Sequence, residues 1–429
     1  MASFRTVKGF RDFFPEDCAL RNYVFETWRR VARQHGFVEY EGPVVESTDL
    51  FRKKSGDEIT SQLFCFEDKG GREVSLRPEV TPSLARLAAA RQRDYKKPLK
   101  WFQIGSCFRY EEPQEGRSRE FIQFNADILG DDSSGADAEL VALALATMRA
   151  FGVSREDFII RLSDRRVWTG FLETYGIPEA QHPAFLQVID KIERARPEDT
   201  AAKLRAFDLS LETVRDFMAS TDGDHPVFAD LRANLQARGL WDFVRIDASI
   251  VRGLAYYTGT VFEVFDTRHG LRAIAGGGRY DNLCGLLSDG KASMPAAGFA
   301  MGDVTLGLLL KKTPGAQIPL TRALEEAFAT DLYVVIADET QRPAALALVQ
   351  QLRDAGLRVE YPFSALKVAR QFQTAEEKKA RYAIVVGAEH PHVSLKNLIS
   401  RSQEEVEVSA LLPRVRALLD QPLAGHLLA

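Results

Sequence analysis

The chain has 429 residues, of which 45% are hydrophobic and 27% are charged. This is the composition of an ordinary globular protein, and its length suggests two or three domains. No apolar run reaches the roughly 18 residues that a membrane span needs, and no signal-peptide core precedes the first charges. The net charge of −4 excludes a globally basic nucleic-acid binder but permits a local basic surface.

The cysteines are scattered, with no CxxC pair and no histidine beside them: Cys18, Cys65, Cys107 and Cys284. This distribution argues against a disulfide framework or a zinc site and fits a reducing compartment. We therefore expect a cytoplasmic protein without membrane contact and without a metal held by its own side chains.

The first predicted element is a helix over 15–36. Apolar residues recur there at helical spacing, Pro15 suits the first turn, and Gly36 suits the stop. A strand is predicted next, over 37–46, with Pro43 within it or at its end. Because proline cannot donate to a ladder, this strand is expected at an edge or an interface.

The middle of the chain mixes strands with one long helical stretch. The region 167–240 is polar and helical without strand alternation, which predicts an inserted helical subdomain. Strands are predicted at 73–78, 99–110, 119–130, 243–251, 260–266 and 272–280, with a helix over about 137–150.

The last hundred residues form a clean alternation. After a stretch at 311–320 whose composition predicts a linker, strand, helix, strand, helix and strand patterns follow one another. We therefore predict an α+β domain over 1–320 with a mostly antiparallel sheet and the inserted helical subdomain. A separate α/β (βαβαβ) domain is predicted over 326–429.

The predicted hairpin over 99–130 carries a strongly charged connector between two apolar strands, in RYEEPQEGRSREFIQFNAD. Since side chains alternate along a strand, Gln123, Asn125 and Asp127 share one face with Phe121, and the residues between them form an apolar face. Arg109 lies on the polar face of the first strand. Such a face either meets water or forms a site, and the hairpin alone leaves both open.

Three other stretches combine polar and apolar residues in the same way. SLRPEVTPSLAR places Glu79 and Thr81 just after a strand, and IVRGLAYYTGTVFEVFD places Arg252, Tyr256 and Tyr257 within apolar sequence. AIAGGGRYDNL has three adjacent glycines, which usually mark close approach of another group to the backbone. A capped helix, core tyrosines and a tight turn would explain them separately; one shared site explains them together.

In this order, the stretches resemble the histidyl-tRNA synthetase family of class II aminoacyl-tRNA synthetases. GFRDFFPED and GFVEYEGPVVE resemble the first class II motif, a dimer-interface helix and strand, and FRYEEPQEGRSREFIQFNAD resembles the second. RGLAYYTGTVFE resembles a peptide specific to the family, GGGRYDNL is typical of it, and the C-terminal module with VSLKNL is similar to its anticodon-binding domain. The resemblance implies a homodimer that ligates L-histidine to tRNA(His) through a histidyl-adenylate.

The resemblance also implies how ATP is bound. Adenylate formation builds negative charge at the α-phosphate, which fixed guanidinium groups stabilise. By resemblance, Arg109 and Arg252 are the catalytic groups at this phosphate, Glu111 contacts ATP, and Phe121 stacks on the adenine. Mg²⁺ is implied as a bridge between the ATP phosphates.

Histidine is assigned by resemblance to a second set: Glu79, Val80, Thr81, Gln123, Asp127, Tyr256 and Tyr257. Within it, Glu79, Thr81 and Gln123 are expected to hold the α-ammonium group. Asp127 and Tyr257 are expected to bind the two imidazole nitrogens, because an ionised carboxylate accepts from a ring N–H and fixes the tautomer.

Two positions depart from the family pattern. Ala255 stands where aspartate is usual, and Thr305 stands where the third class II motif carries an arginine for the γ-phosphate. The missing arginine leaves an alternative, a paralogue that binds histidine without charging tRNA, as regulatory subunits of ATP phosphoribosyltransferase do. The C-terminal module and the retained Arg109, Phe121 and Arg252 favour the synthetase.

Overall fold

A computed structural model describes residues 4–55, 61–252 and 256–420 of the chain. The chain divides into two compact units, Met1–Thr321 and Arg322–Ala429. Ala255, one of the two positions that depart from the family pattern, lies outside the described residues. No helix within the described ranges is long and apolar enough to cross a membrane.

The first unit is built on a sheet of eight described strands in the order β1-β5-β6-β11-β10-β9-β7-β8. Among these strands, the pairs β1–β5 and β7–β8 are parallel and the other pairs are antiparallel. The predicted mostly antiparallel sheet is confirmed. Its strands are β1 (Val38–Glu39), β5 (Leu99–Phe108), β6 (Glu120–Leu129), β7 (Phe158–Asp164), β8 (Val244–Ile246), β9 (Thr260–Asp266), β10 (Ala275–Arg279) and β11 (Ala296–Gly302).

A small antiparallel sheet in the order β2-β4-β3 lies in the same unit. Its strands are β2 (Val45–Ser47), β3 (Phe64–Glu67) and β4 (Glu73–Leu76). The helices of this unit outside the insertion are α1 (Pro15–Gln34), α2 (Thr48–Ser55), α3 (Thr81–Ala90), α4 (Ser134–Ala150), α10 (Leu283–Leu287) and α11 (Asp303–Lys312), and the unit boundary falls within α12 (Pro314–Phe328).

Helix α1 covers the apolar face of β6. Trp28 is fully buried and stacks on Phe124 with ring centroids 5.6 Å apart. Phe124 also meets Phe102 and Phe299 edge to face. Because aromatic contacts fill this face of the sheet, the opposite face of β6 is left for the polar residues.

Between β7 and β8 the chain forms five helices: α5 (Arg165–Thr174), α6 (His182–Ile189), α7 (Pro197–Leu204), α8 (Leu211–Ser220) and α9 (Ala229–Ala237). They carry a hydrophobic core of their own that includes Trp168, Phe171, Phe185 and Val214. Residues 165–243 are all described and contain no strand, in agreement with the helical pattern of their sequence.

The second unit has a five-stranded sheet in the order β13-β12-β14-β15-β16, counted over described residues. The first three strands are parallel and the last two are antiparallel. Its elements are β12 (Thr330–Ile336), α13 (Arg342–Asp354), β13 (Val359–Glu360), α14 (Val368–Glu377), β14 (Ala380–Val386), β15 (His392–Asn397), β16 (Gln403–Glu407) and α15 (Val408–Leu419). The predicted βαβαβ order is confirmed, and the hairpin and helix after it were not predicted.

Three local predictions were wrong. The strand predicted over 37–46 is two short strands in different sheets, because Gly42 and Pro43 interrupt it where proline offers no N–H donor. The strand predicted over 243–251 extends only over β8. The linker predicted over 311–320 is the junction of α11 and α12: Pro314 fits a first turn, and Ala316 and Leu320 are buried at helical spacing.

Gly277 offers a test of the strand packing. A Cβ built on Gly277 would lie 2.1 Å from the carbonyl oxygen of Gly298 on the neighbouring strand. Since backbone atoms cannot move aside cheaply, we expect Gly277→Ala to lower the free energy of unfolding by about 1–3 kcal/mol. Thermal unfolding followed by circular dichroism measures the shift.

Gly307→Ala is the matched control. Gly307 lies within α11, and a Cβ there would meet nothing within 4 Å. We expect this change to raise stability by up to about 1 kcal/mol, since alanine is the better helix former. Equal melting temperatures for the two variants would contradict the close packing of β10 against β11.

Candidate active site

The polar face of the β5–β6 hairpin is assembled by strand register. Asp127 pairs with Trp101, Asn125 with Gln103, and Gln123 with Gly105. Asn125 and Asp127 are 3% and 2% exposed. The explanation of this face as a water-facing surface is therefore wrong for these two residues, which the protein covers.

Glycines on β10 and β11 provide the space above the sheet. A Cβ on Gly276 would lie 1.6 Å from Nη1 of Arg252, and a Cβ on Gly298 would lie 1.8 Å from Oδ1 of Asp127. A Cβ on Gly278 would lie 3.0 Å from Cδ1 of Tyr257. The close approach predicted from the glycine run is confirmed.

A cavity of about 650 Å³ opens over this part of the sheet. Five of the residues predicted from the sequence line it: Arg109, Glu111, Phe121, Gln123 and Arg252. The Arg109 guanidinium lies 5.1 Å from the centre of the Phe121 ring, and its Nε donates to the Pro78 carbonyl oxygen over 3.0 Å. Glu111 forms an ion pair with Arg117. The cavity thus combines fixed positive charge with an aromatic surface.

Arg252 is held from several sides. Its Nη1 donates to Oε1 of Glu263 over 2.9 Å, and its carbonyl oxygen accepts from Nη2 of Arg165 over 3.0 Å. Burial disfavours its charge, but Tyr257 and Glu263 outweigh that effect and raise the pKa of Arg252. Its φ of 49° is uncommon for a residue with a side chain. Such backbone strain is concentrated at functional sites.

The other predicted residues do not line this cavity, and four of them, Glu79, Asp127, Tyr256 and Tyr257, form a second cluster. Tyr256 and Tyr257 lie with ring centroids 4.6 Å apart, and Tyr256 meets Tyr280 edge to face at 5.9 Å. Val80 is fully buried just before α3, and Thr81 opens that helix. Tyr257 joins the cluster to the cavity, because its ring centre lies 5.8 Å from the guanidinium carbon of Arg252.

Asp127 is the buried carboxylate of this cluster. Tyr280 donates to its Oδ1, whereas its Oδ2 has no hydrogen-bond partner within the described part of the chain. Burial raises the pKa of Asp127 to about 7, and the bond from Tyr280 only partly opposes the shift. A buried carboxylate oxygen without a donor is costly, so this oxygen is suited to a ligand N–H.

The sequence interpretation missed two residues of the cluster. Tyr280 directly follows the glycine-rich strand β10, and that position was the available signal. Lys54 lies on α2, has a fully buried side chain, and forms an ion pair with Glu79. Its ammonium also lies 4.0 Å from the centre of the Tyr256 ring. Nothing in the local sequence distinguishes Lys54 from its exposed neighbour Lys53.

Thr305, at the position of the missing arginine, lines the cavity and is 7% exposed. Its hydroxyl donates to the Gly116 carbonyl oxygen over 3.4 Å, which ties α11 to the charged connector of the hairpin. A hydroxyl cannot supply the charge of an arginine, so any cation at this end of the cavity must come from another residue.

The sheet and its cavity define the class: this unit has the architecture of a class II aminoacyl-tRNA synthetase catalytic domain. A family model described as histidyl-tRNA synthetase matches residues 9–305, and one described as anticodon binding domain matches residues 331–418. The chain belongs to the histidyl-tRNA synthetase family.

Relatives from distant organisms match almost the whole chain. A histidine–tRNA ligase of Opitutus terrae is 41% identical over 97% of this chain and 99% of the relative. A chloroplastic/mitochondrial histidine–tRNA ligase of Arabidopsis thaliana is 38% identical over 94% of this chain and 85% of the relative. The crystal structure of histidyl-tRNA synthetase from Nostoc sp. PCC 7120 is 26% identical, with a TM-score of 0.75, and the match covers 97% of this chain and 100% of that one.

Lys54 is paired with Glu79, the carboxylate that was expected to hold the α-ammonium group of the substrate. In Lys54→Met, Glu79 would lose its partner, and breaking a buried ion pair costs about 3–5 kcal/mol. A substrate ammonium would then replace the lost charge. We expect the melting temperature to fall, and histidine to raise it by more in the variant than in the unchanged protein.

Lys53→Met on the same helix is the control, since Lys53 pairs with Asp289 at the surface, where their side chains are 38% and 73% exposed. It should alter neither the melting temperature nor the histidine response by a measurable amount. A smaller histidine-induced shift in Lys54→Met than in the unchanged protein would mean that Lys54 supports histidine binding rather than competing with it.

Proposed function

We propose that the chain ligates L-histidine to tRNA(His) at the expense of ATP, through a histidyl-adenylate. The observation that carries this proposal is one cavity that both Arg109 and Arg252 line, beside a buried cluster in which one carboxylate oxygen has no hydrogen-bond partner among the described residues. Two fixed guanidinium groups suit attack of a carboxylate on the α-phosphate, because negative charge develops there.

ATP is held at the cavity by the residues of the hairpin. Phe121 offers its ring to the adenine, and Arg109 lies against that ring, 5.1 Å from its centre. Glu111 lies beside them on the connector and keeps Arg117 oriented through their ion pair. In this arrangement the hairpin binds the nucleotide, and Arg252 reaches the α-phosphate from the other side.

Histidine binds in the second cluster. The free Oδ2 of Asp127 accepts from one imidazole N–H, and the Tyr257 hydroxyl donates to the other nitrogen. Glu79, Thr81 and Gln123 supply acceptors for the α-ammonium, with Val80 and Tyr256 beside them. The match to a ring with one donor and one acceptor distinguishes neutral histidine from other side chains of its size.

We expect Mg²⁺ to bind together with ATP rather than at a metal site formed by protein side chains. Within the described residues, no group of three or more His, Cys, Asp or Glu side chains is placed to hold a metal. Of the four carboxylates that line the cavity, Glu111, Glu193 and Glu263 are each paired with an arginine, which leaves Asp190 without an ion pair among the described residues. A hard cation held mainly by phosphate oxygens and water fits these residues, and it would neutralise phosphate charge.

The two domains have different roles in this proposal. Residues 1–320 carry the chemistry, with the helical insertion at about 167–240, and residues 326–429 bind the anticodon. We place the reaction in the cytoplasm, where tRNA is charged for protein synthesis. The histidine-binding regulatory paralogue is not favoured, because the anticodon-domain match covers residues 331–418 and relatives that match nearly the whole chain are histidine–tRNA ligases.

A homodimer through the segment around Pro43 is part of the proposal. Val38, Val44 and Val45 are 64%, 37% and 42% exposed there, beside a strand of two residues at the edge of the main sheet. An apolar edge of this kind suits a two-fold interface. Sedimentation velocity at micromolar concentration should give the mass of two chains; a stable monomer would contradict the interface.

Histidine-dependent exchange of pyrophosphate into ATP, followed by charging of tRNA(His), tests the function. We expect exchange with histidine and not with glutamine. Arg252→Ala should reduce the exchange rate about 10²–10³-fold, because a preorganised charge is removed from the transition state. Arg215→Ala, which removes an exposed arginine on α8, is the control and should retain the full rate.

Two results would contradict this function. Exchange that does not depend on histidine would remove histidine as the substrate. An Arg252→Ala variant that binds histidine and exchanges at the full rate would show that Arg252 has a structural role, and the catalytic assignment would fail.

A further inference from the structure

Three more arginines line the cavity beside Arg109 and Arg252: Arg117, Arg194 and Arg272. Arg117 is compensated by its ion pair with Glu111. Within the described part of the chain, the guanidinium groups of Arg194 and Arg272 have no carboxylate within ion-pair distance. Asp190 and Glu193 also line the cavity, and Glu193 is paired with Arg161. Arg194 and Arg272 therefore add positive charge that no ion pair among the described residues compensates.

Arg272 stands on an ordered loop between β9 and β10. The Asp266 carboxylate accepts from the backbone N–H groups of Arg268, His269 and Leu271 over 3.1, 2.7 and 3.2 Å. The Ile274 N–H then donates to the Val264 carbonyl oxygen over 2.8 Å as the ladder resumes. Because hydrogen bonds hold the loop both before and after Arg272, the backbone of this residue is fixed.

Arg272 also lies on the side of the cavity that residue 305 faces. A Cβ built on Gly116 would lie 3.6 Å from Oγ1 of Thr305 and 3.9 Å from Cδ of Arg272. The threonine hydroxyl and the arginine stem thus flank the same point of the connector. A guanidinium there can reach the space that an arginine at position 305 would have occupied.

The charges around Arg272 favour an anion. Burial lowers the pKa of Arg272, and the nearby charges of Arg117 and Arg194 lower it further, against the opposing effect of Glu111. The repulsion between like charges decreases when a polyanion binds between them. A triphosphate end is such a ligand, and a guanidinium can bind two of its oxygens at once.

We propose that Arg272 binds the terminal phosphates of ATP in place of the arginine that position 305 lacks. This inference rests on the proposed function, in which Arg109 and Arg252 hold the α-phosphate. The triphosphate then extends from these two residues towards the connector, where Gly116, Thr305 and Arg272 meet.

Kinetics of pyrophosphate exchange test the role of Arg272. We expect Arg272→Gln to raise the KM for ATP about ten- to a hundredfold, as loss of a charge-assisted hydrogen bond should. The KM for histidine should change less than about twofold, and Arg272→Lys should recover part of the loss. Arg215→Gln, at an exposed position of α8, is the control and should leave both KM values unchanged.

Two further measurements separate a phosphate role from a structural one. Arg272→Gln should bind a non-hydrolysable histidyl-adenylate analogue as tightly as the unchanged protein in calorimetry, because the analogue lacks the terminal phosphates. Adding Thr305→Arg to Arg272→Gln should lower the KM for ATP again, since it restores a cation on the same side of the cavity.

The proposal is overturned if Arg272→Gln keeps the KM for ATP, or if Arg194→Gln raises it and Arg272→Gln does not. Weaker binding of the adenylate analogue by Arg272→Gln would also overturn it, because the residue would then shape the whole site. Absence of histidine-dependent exchange in the unchanged protein would instead reject the proposed function itself, so the two failures are distinguishable.

Discussion

The site depends on the absence of side chains at the centre of the main sheet. Gly276, Gly278 and Gly298 lie where β10 and β11 pass beneath Arg252, Tyr257 and Asp127, and any Cβ at Gly276 or Gly298 would fall within 2 Å of those side chains. The ladder fixes this alignment, since Gly298 pairs with both Gly278 and Asp127. These three side chains can therefore lie flat on the sheet instead of standing above it.

Burial of charge follows from that arrangement. Asp127 is 2% exposed, and the Arg252 side chain is 21% exposed and lies against the Tyr257 ring, so both groups have lost much of their hydration. A buried charge is destabilising unless it is paired and hydrogen-bonded. The protein pairs Lys54 with Glu79 and Arg252 with Glu263, yet none of the described residues donates to the second oxygen of Asp127. The unsatisfied group identifies the position where a ligand contributes most.

Local sequence patterns were sufficient to predict the polar strand face and the close approach at the glycines. What they missed depends on contacts between residues that are far apart in the chain or on packing. Strand alternation placed Gln123 and Asp127 on one face, and the glycine run predicted close approach, because both signals are contained in a few residues. Lys54 was missed because its partner Glu79 is 25 residues away and only the fold brings them together. The supposed linker at 311–320 was wrong because its apolar residues pack at helical spacing, which outweighs its prolines and glycine.

A crystal structure of the full chain with a histidyl-adenylate analogue bound is the most direct test of this site. We expect the phosphate mimic between Arg109 and Arg252, the adenine against Phe121, and the imidazole within hydrogen-bond distance of Oδ2 of Asp127. An analogue bound elsewhere, or an imidazole without contact to Asp127, would contradict it.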